Sequence, residues 1–171
     1  HIGALALTDP LLVEEFDPQT PFSPQLEAAH GDVATIYDEG CVQTHREEPG
    51  AGVVQVCDVD NYGARKTIVL TGGSFSTQWY PAIQTVAETE GWRLLVIEKN
   101  GCRLQSDSSE KYCAKWNRAA VDVIASYEPD AVFTLGTVVE KSETLAEHIP
   151  VSSLDPIRQL TESGIPVIGV V

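Results

Sequence analysis

Short apolar runs alternate with longer stretches of helical period from Lys66 to the end of the chain. The runs are rich in β-branched residues and bounded by turn residues, which is typical of buried strands. They cover residues 67–70, 94–97, 131–135 and 166–171. Between them, apolar residues recur at spacings of three and four, which predicts amphipathic helices. The predicted helices cover about residues 78–90, 109–127 and 155–163.

Strands separated by helices of this length pair in parallel through right-handed crossovers. We therefore predict an α/β fold, a three-layer α/β/α sandwich around a parallel sheet. The last predicted strand runs directly into Val171. Because parallel sheets are covered on both faces, we expect the domain to continue beyond this residue and the fold to be incomplete at its C-terminus.

The first part of the chain has a different character. Prolines interrupt residues 1–63, acidic residues are scattered through them, and Gly50-Ala51-Gly52 forms a joint. Such composition is typical of loops and linkers. We interpret residues 1–63 as an irregular extension or linker that wraps the domain, and residues 64–171 as the domain itself.

The charge balance excludes whole classes of partner. Lys and Arg number 11 against 25 Asp and Glu, so the formal net charge is −14. Most of the surface is expected to repel the phosphates of nucleic acid. The apolar runs are far shorter than the roughly 20 residues of a membrane-spanning helix. We therefore expect no nucleic-acid partner and no membrane crossing by this segment itself.

The chain contains four cysteines, Cys41, Cys57, Cys102 and Cys113. They form no CxxC motif, and no histidine lies at zinc-finger spacing from them, so disulfides are favoured over a metal site. Four cysteines allow three pairings. Disulfides indicate an oxidising compartment.

The turn after the first predicted strand carries the candidate chemistry. It reads GGSFS at residues 72–76 and lies at the carboxyl edge of a parallel sheet, where ligands bind. Ser74 is the candidate nucleophile, because two glycines permit a tight turn and the amides that follow can stabilise an oxyanion. The motif is close to the GxSxG nucleophile elbow, with Ser76 in place of the last glycine. The alternative is a plain turn that caps a helix or holds a phosphate.

Residues 68–83 resemble a known sequence block. They are similar to the GDSH-x-x-QW-x-PAL block that opens the SGNH (GDSL-like) domains fused to membrane O-acyltransferases of the acyltransferase-3 family. Further blocks follow in the order of that family: GWRLLV at 91–96, KNGC at 99–102, Cys113 with WN at 116–117, and EPDAV at 128–132. The resemblance covers most of the chain and is strongest between Cys57 and Gly136.

The resemblance implies a fold and a set of roles. It implies an SGNH-hydrolase/flavodoxin-like sandwich, Ser74 as the nucleophile that forms an acyl-enzyme, and Gly101 as a donor to the oxyanion. The disulfide pairs Cys41–Cys57 and Cys102–Cys113 match the family and are also local in sequence. Phe75, within the turn that carries Ser74, and Tyr80, beside it, are candidates for the pocket wall. Other aromatic residues are interpreted as core, namely Trp79, Trp92 and Trp116.

The chain departs from the family at several positions. Gly73 replaces the Asp of GDS, a variant that the resemblance associates with relatives from mycolate-envelope bacteria. Phe75 replaces the His that follows the serine, and Gly136-Thr137 stand where an asparagine is expected. The family's Asp-x-x-His motif is absent from the sequence, and we expect the catalytic base to lie beyond Val171. The histidines within the chain are interpreted as surface or terminal residues: His1, His30, His45 and His148.

By this resemblance the chain is the extracytoplasmic SGNH-like portion of a membrane O-acyltransferase, tethered through an acyltransferase-3 domain of the same polypeptide. Its expected reaction is transfer of an acyl group, expected to be acetyl, to an envelope glycan or glycolipid, with trehalose mycolates as one acceptor. No cofactor and no metal are expected. Two alternatives stay open: a free-standing SGNH esterase, and a catalytically degenerate binding or docking module, which Phe75 and the missing base favour.

Overall fold

The computed structural model describes residue 25 and residues 27–44, 46–47, 50–61, 63, 65–139 and 146–170. Backbone contacts divide the chain into two compact units, residues 1–33 and 34–171. In the described part of the first unit, the chain makes a 3-10 turn at Ala29–Gly31. The second unit carries the sheet and the candidate site.

Strands and helices alternate along the second unit as the hydrophobic pattern predicts. The strands in its described residues are β1 (Val42–Gln43), β2 (Cys57–Asn61), β3 (Thr67–Gly72), β4 (Arg93–Lys99), β5 (Ala131–Leu135), β6 (Val138–Val139), β7 (Glu147–His148) and β8 (Val167–Val170). The helices are α1 (Ser74–Thr77), α2 (Tyr80–Glu90), α3 (Lys111–Ser126) and α4 (Val151–Glu162). Short 3-10 turns lie at Thr35–Tyr37 and Gly50–Gly52.

β3 lies at the centre of the main sheet, whose order is β1-β4-β3-β5-β8. It pairs in parallel with β4 on one side and with β5 on the other, and β5 pairs in parallel with β8. β1 pairs in parallel with the end of β4, and β2 pairs antiparallel with residues 93–96 of the same strand. β6 and β7 form a separate antiparallel pair. The parallel strands and helical crossovers confirm the predicted α/β architecture.

Alternate residues of the central strands face two apolar layers. One face packs against α2, and its buried residues include Leu70, Leu94, Val96, Ile83 and Ala87. The other face packs against α3 and α4, and its buried residues include Val69, Leu95, Ile97, Trp116, Ile124 and Leu160. Helices therefore cover both faces of the sheet, which is the three-layer arrangement that the sequence predicts.

Residues 34–61 contribute strands to this sheet, although their sequence is typical of an irregular extension. The buried Gln43 of β1 accepts a hydrogen bond from Trp116 Nε1 at 2.9 Å and donates one to the Val53 carbonyl at 2.8 Å. A disulfide between Cys41 and Cys57 connects the start of β1 to β2. A two-residue strand and a bulged strand carry too little periodicity to be predicted. Backbone contacts place these residues in the same compact unit as the rest of the sheet, Ala34–Val171.

The helix after β3 is divided in two, where the sequence predicted one helix from about Gln78. α1 ends at Thr77, and α2 begins at Tyr80 with Pro81 in its first turn. Proline has no N–H, and its ring clashes with the carbonyl four residues earlier, so the two segments cannot form one regular helix. The break turns Trp79 outward, and its side chain is 38% exposed instead of lying in the core as predicted.

α4 begins four residues before the predicted start at Asp155, because Pro156 is accommodated inside the helix. A proline cannot donate to the carbonyl four residues earlier, here that of Ser152. Ser106, in the loop after β4, supplies the missing donors: its N–H lies 2.7 Å and its Oγ 3.1 Å from the Ser152 oxygen. The loop between β4 and α3 is therefore hydrogen-bonded to α4.

Candidate active site

Gly72 and Gly73 carry the chain from β3 into α1. Gly72 has a φ of 129°, and a Cβ atom there would lie 2.5 Å from Ser76 Oγ. A Cβ atom at Gly73 would lie between 3.1 and 3.3 Å from backbone atoms of Cys102. Both positions favour glycine for these steric reasons. The turn therefore lies directly against the loop that follows β4.

The turn and this loop form the walls of a cavity of about 220 Å³ at the carboxyl edge of the sheet. Its lining residues come from the turn, from the loop after β4 and from the end of β5: Gly73, Ser74, Phe75, Ser76, Gly101, Arg103, Gln105 and Leu135. The edge location is where ligands bind in open parallel sheets. Three of the predicted site residues, Ser74, Phe75 and Gly101, line this cavity together.

The two serines of the turn have different environments. Ser76 is 2% exposed, and its Oγ accepts a hydrogen bond from the Leu135 N–H at 3.2 Å. Ser74 is half-buried and lines the cavity as the first residue of α1. A nucleophile must reach its substrate, so Ser74 is the serine that the geometry leaves available.

Gly101 ends the tight turn that follows β4. Its φ of 76° lies in the left-handed region that favours glycine. The Cys102 N–H closes the turn by donating to the Lys99 carbonyl at 2.9 Å. Cys102 is in turn disulfide-bonded to Cys113 of α3, as predicted. Gly101 is therefore presented to the cavity by a loop that is anchored at the next residue.

Arg103 is the charged residue among the described residues that line the cavity. It is half-buried, and its Nε atom is buried without a hydrogen-bond partner. Burial lowers the pKa of its guanidinium. The sequence does not single out Arg103. The available signal is its position, two residues after Gly101 and next to a disulfide cysteine in a strongly acidic chain.

Glu98 lies fully buried at the end of β4, paired with Gly72 of the turn that carries Ser74. Its Oε2 accepts a hydrogen bond from Thr77 Oγ1 at 3.1 Å, whereas its Oε1 has no partner. Burial raises the pKa of this carboxyl well above its usual range, and the Thr77 hydrogen bond acts in the opposite direction. Lys99, the next residue, contacts the opposite layer, where its Nζ donates to the Ala51 carbonyl at 2.8 Å.

Residues 40–170 match the family model described as "SGNH domain (fused to AT3 domains)", where AT3 denotes acyltransferase-3. The chain belongs to this family. Neither curated proteins nor solved structures gave a match. The family fits the observed α/β fold, and it places the chain among SGNH domains associated with acyltransferase-3 proteins.

The SGNH domain described here differs from the GDSH block for reasons that the structure makes visible. The contact between Gly73 and the Cys102 backbone leaves little room for the aspartate of GDS. Phe75 is 61% exposed at the rim of the cavity. Gly136, which stands where an asparagine was sought, donates its N–H to the Val170 carbonyl at 2.8 Å and contacts the backbone of Gly169. Its amide is therefore already engaged between β5 and β8.

A catalytic base is not among the described residues that line the cavity, since none of them carries an imidazole or a carboxylate. His148 lies exposed on β7 and does not line the cavity. His30 belongs to the first unit. His1 and His45 lie outside the described residues. Asp130 lies in the turn before β5, and its carboxylate accepts a hydrogen bond from the Thr67 N–H at 2.8 Å.

Tyr80 does not line the cavity, in contrast to the expectation from its place near the turn. It is 1% exposed and packs in the layer between α2 and the sheet. The reason is the break before Pro81, which starts α2 at Tyr80 and directs the ring into the core. Trp116 is fully buried, as predicted.

No group of three or more His, Cys, Asp and Glu side chains among the described residues is arranged to hold a metal ion. No helix in the described part of the chain is both long enough and apolar enough to span a membrane.

Proposed function

We propose that this SGNH domain transfers an acyl group through an ester on Ser74 to a hydroxyl of an envelope glycan or glycolipid. The observation that carries the proposal is the shared cavity: Ser74 from the β3 turn and Gly101 from the β4 turn line the same space at the carboxyl edge of the sheet. The acyl group is proposed to be acetyl, and trehalose mycolates are one acceptor to test.

The proposed reaction has two steps. In the first, Ser74 Oγ attacks the carbonyl carbon of the acyl donor while a base takes the hydroxyl proton. The amides of Ser74 and Gly101 are proposed to stabilise the oxyanion, since the first N–H groups of a helix have no partner within it. The bond between the acyl carbon and the donor's leaving atom breaks, that atom takes the proton from the base, and an acyl-serine remains.

In the second step, the acceptor hydroxyl gives its proton to the base and attacks the acyl-serine. The acyl group passes to the acceptor oxygen, and Ser74 recovers its proton. We propose that the base is the Asp-x-x-His pair that the family resemblance implies, supplied from outside the described residues. The family match supports an acyltransferase-3 domain on the same polypeptide, and we propose that the site lies on the extracytoplasmic side of the membrane. The two disulfides support an oxidising compartment.

The first prediction is that Ser74→Ala abolishes acyl transfer by the intact membrane protein, because it removes the only oxygen that can carry the acyl group in this scheme. The measurement is transfer of labelled acetyl groups to envelope lipids and glycans, together with labelling by a fluorophosphonate probe. Ser126→Ala is the matched control, because Ser126 is exposed on α3 and bonds only within its own helix. Unchanged transfer by Ser74→Ala would rule out the proposal.

A non-catalytic binding module is the second candidate. The specific observation that favours it is the lack of an imidazole or carboxylate among the described lining residues. Fluorophosphonate labelling separates the two candidates, since a serine without a base reacts slowly. Labelling at Ser74 that is lost in Ser74→Ala supports catalysis, and the absence of labelling in an otherwise folded protein supports the binding module.

A further inference from the structure

Arg103 brings a positive charge into a cavity whose other described lining residues are uncharged. This is unexpected in a protein with 25 acidic and 11 basic residues, because a carboxylate is available to most cations. Arg93 illustrates the usual case, since it forms an ion pair with Asp58 at 2.7 Å. Arg158 likewise lies 3.3 Å from Asp155.

The guanidinium of Arg103 has no such partner among the described residues. Its backbone carbonyl accepts a hydrogen bond from Asn117 Nδ2. Within the described part of the chain the guanidinium forms no ion pair and no side-chain hydrogen bond, and its buried Nε is unsatisfied. An arginine stays protonated at neutral pH even when burial lowers its pKa. A partly desolvated cation without a counter-ion is costly, and an incoming anion relieves that cost.

The loop holds Arg103 in place before any ligand binds. Cys102 is fixed by its disulfide to Cys113, and Asn117 holds the Arg103 carbonyl at 2.9 Å. Further along, Ser106 is fastened to the Ser152 carbonyl of α4. Preorganisation of this kind reduces the entropy that a binding site loses on association. The loop therefore presents Arg103 from an anchored backbone on one wall of the cavity that Ser74 also lines.

We propose that Arg103 binds an anionic group, a phosphate or a carboxylate, on the sugar that accepts the acyl group. A guanidinium presents a planar fork of donors that matches both oxyanions. The cavity is smaller than the roughly 300–1,000 Å³ of drug-sized pockets, so it admits one small group close to Ser74. The inference rests on the proposed function, and within it favours an acceptor sugar that carries a negative charge over the uncharged trehalose mycolates.

The test measures binding of three simple probes to the purified intact protein by calorimetry. The probes are glucose 6-phosphate, glucuronate and glucose, which present a phosphate, a carboxylate and no charge. We expect at least one anionic probe to bind about tenfold or more tightly than glucose, because a charge-assisted hydrogen bond contributes at least that much. The preferred probe identifies which oxyanion the site selects.

The variant Arg103→Gln is expected to remove this preference, so that the Kd values of the anionic probe and of glucose become equal within about twofold. Arg103→Lys is expected to keep part of it, because the charge remains but the fork geometry is lost. Arg118→Gln is the matched control: it removes the same charge from an exposed position on α3 outside the cavity, and the ratio of Kd values should stay that of the parent protein.

Two results would overturn the inference: equal binding of all three probes by the parent protein, or an anionic preference that survives Arg103→Gln. If Arg103→Gln fails to fold by circular dichroism, Arg103→Lys and a salt titration decide. An anionic preference that neither Arg103→Lys nor raised salt reduces would exclude an electrostatic site at Arg103. The Ser74→Ala variant separates this inference from the proposed function. It should keep the anionic preference while losing acyl transfer; transfer without Ser74 would refute the proposed function and leave the anion site standing.

Discussion

Gly73 lies against the backbone of Cys102, and this contact limits how close together the Gly72–Ser76 turn and the loop after β4 can lie. With a Cβ atom at Gly73 only 3.1 to 3.3 Å from the Cys102 backbone, either wall must move to accept a side chain. The cavity that contains Ser74 and Gly101 therefore depends on a residue that contributes no chemistry of its own.

The second prediction follows from this contact. Gly73→Ala should lower the free energy of unfolding by about 1–3 kcal/mol, the usual cost of overpacking, and should reduce fluorophosphonate labelling of Ser74. Chemical denaturation measures the first effect. Gly31→Ala is the control, because a Cβ atom at Gly31 meets nothing within 4 Å. A Gly73→Ala protein of unchanged stability and labelling would show that the contact is not tight.

The third prediction concerns the buried Glu98. Because burial raises its pKa, the folded protein keeps a proton on Glu98 at pH values where the unfolded chain, with a pKa of about 4.3, has released it. Folding stability attributable to this group is therefore highest at low pH. It falls as the pH rises from about 4.3 toward the folded-state pKa, with a slope of at most about 1.4 kcal/mol per pH unit.

Glu98→Gln removes this slope, because glutamine stays neutral and can still accept the Thr77 hydrogen bond. The free energy of unfolding of both proteins is measured at pH 5 and at pH 8. The variant's value minus the parent's value should be larger at pH 8 than at pH 5. Glu90→Gln, at the exposed end of α2, is the control and should show no such change. An equal difference at the two pH values would contradict a buried, protonated Glu98.

At the scale of elements, the two disulfides have different relations to the site. Cys102–Cys113 anchors the loop that presents Gly101 and Arg103, whereas Cys41–Cys57 joins the strands at the far edge of β4. They close loops of similar length, with sequence separations of 11 and 16. The chain-entropy model gives each about 3 kcal/mol of stabilisation.

The fourth prediction compares the two disulfides. The double variants Cys102→Ala with Cys113→Ala, and Cys41→Ala with Cys57→Ala, should lose similar amounts of stability, about 3 kcal/mol each. Only the first should also lose most fluorophosphonate labelling of Ser74, because only that disulfide holds a wall of the cavity. Thermal unfolding and labelling at a temperature where both variants are folded make the comparison. Equal labelling by the two variants would contradict the assigned role.

The elements that the sequence predicts correctly are those with a local signal. The strand at residues 131–135 follows from its run of apolar and β-branched residues. The end of α2 follows from Gly91, which adopts a left-handed φ of 68° there. Pro81 and Pro156 show where local signals fail. Each proline removes one backbone hydrogen bond of the helix. At Pro156 the helix continues, and Ser106, distant in sequence, donates to the carbonyl that is left free, which no local pattern reveals.

At the scale of the whole molecule, the parallel sheet and its two apolar layers were predictable, because crossover connections constrain the topology strongly. β1 and β2 were not, since their pairing with β4 is set by contacts distant in sequence, such as that between Gln43 and Trp116. For the site, the GGSFS turn singled out Ser74, and the family resemblance added Gly101. Arg103 and Glu98 were not predicted, because what distinguishes them is burial and a polar atom without a hydrogen-bond partner, which only the structure shows.

The overall charge and the local charge of the cavity have opposite signs. The formal net charge of −14 repels polyanions from most of the surface, while Arg103 offers one positive group beside Ser74. This combination fits the proposed binding of a single anionic substituent, and the net charge disfavours the approach of an extended polyanion.

The most direct measurement is to trap the acyl-enzyme. The intact protein is incubated with an acyl donor, quenched in acid and digested, and the peptides are analysed by mass spectrometry before and after addition of an acceptor. We expect an acyl group on the peptide that contains Ser74, absent from Ser74→Ala and removed when the acceptor is added. Acyl transfer that proceeds while the Ser74 peptide stays unmodified would contradict the proposed function.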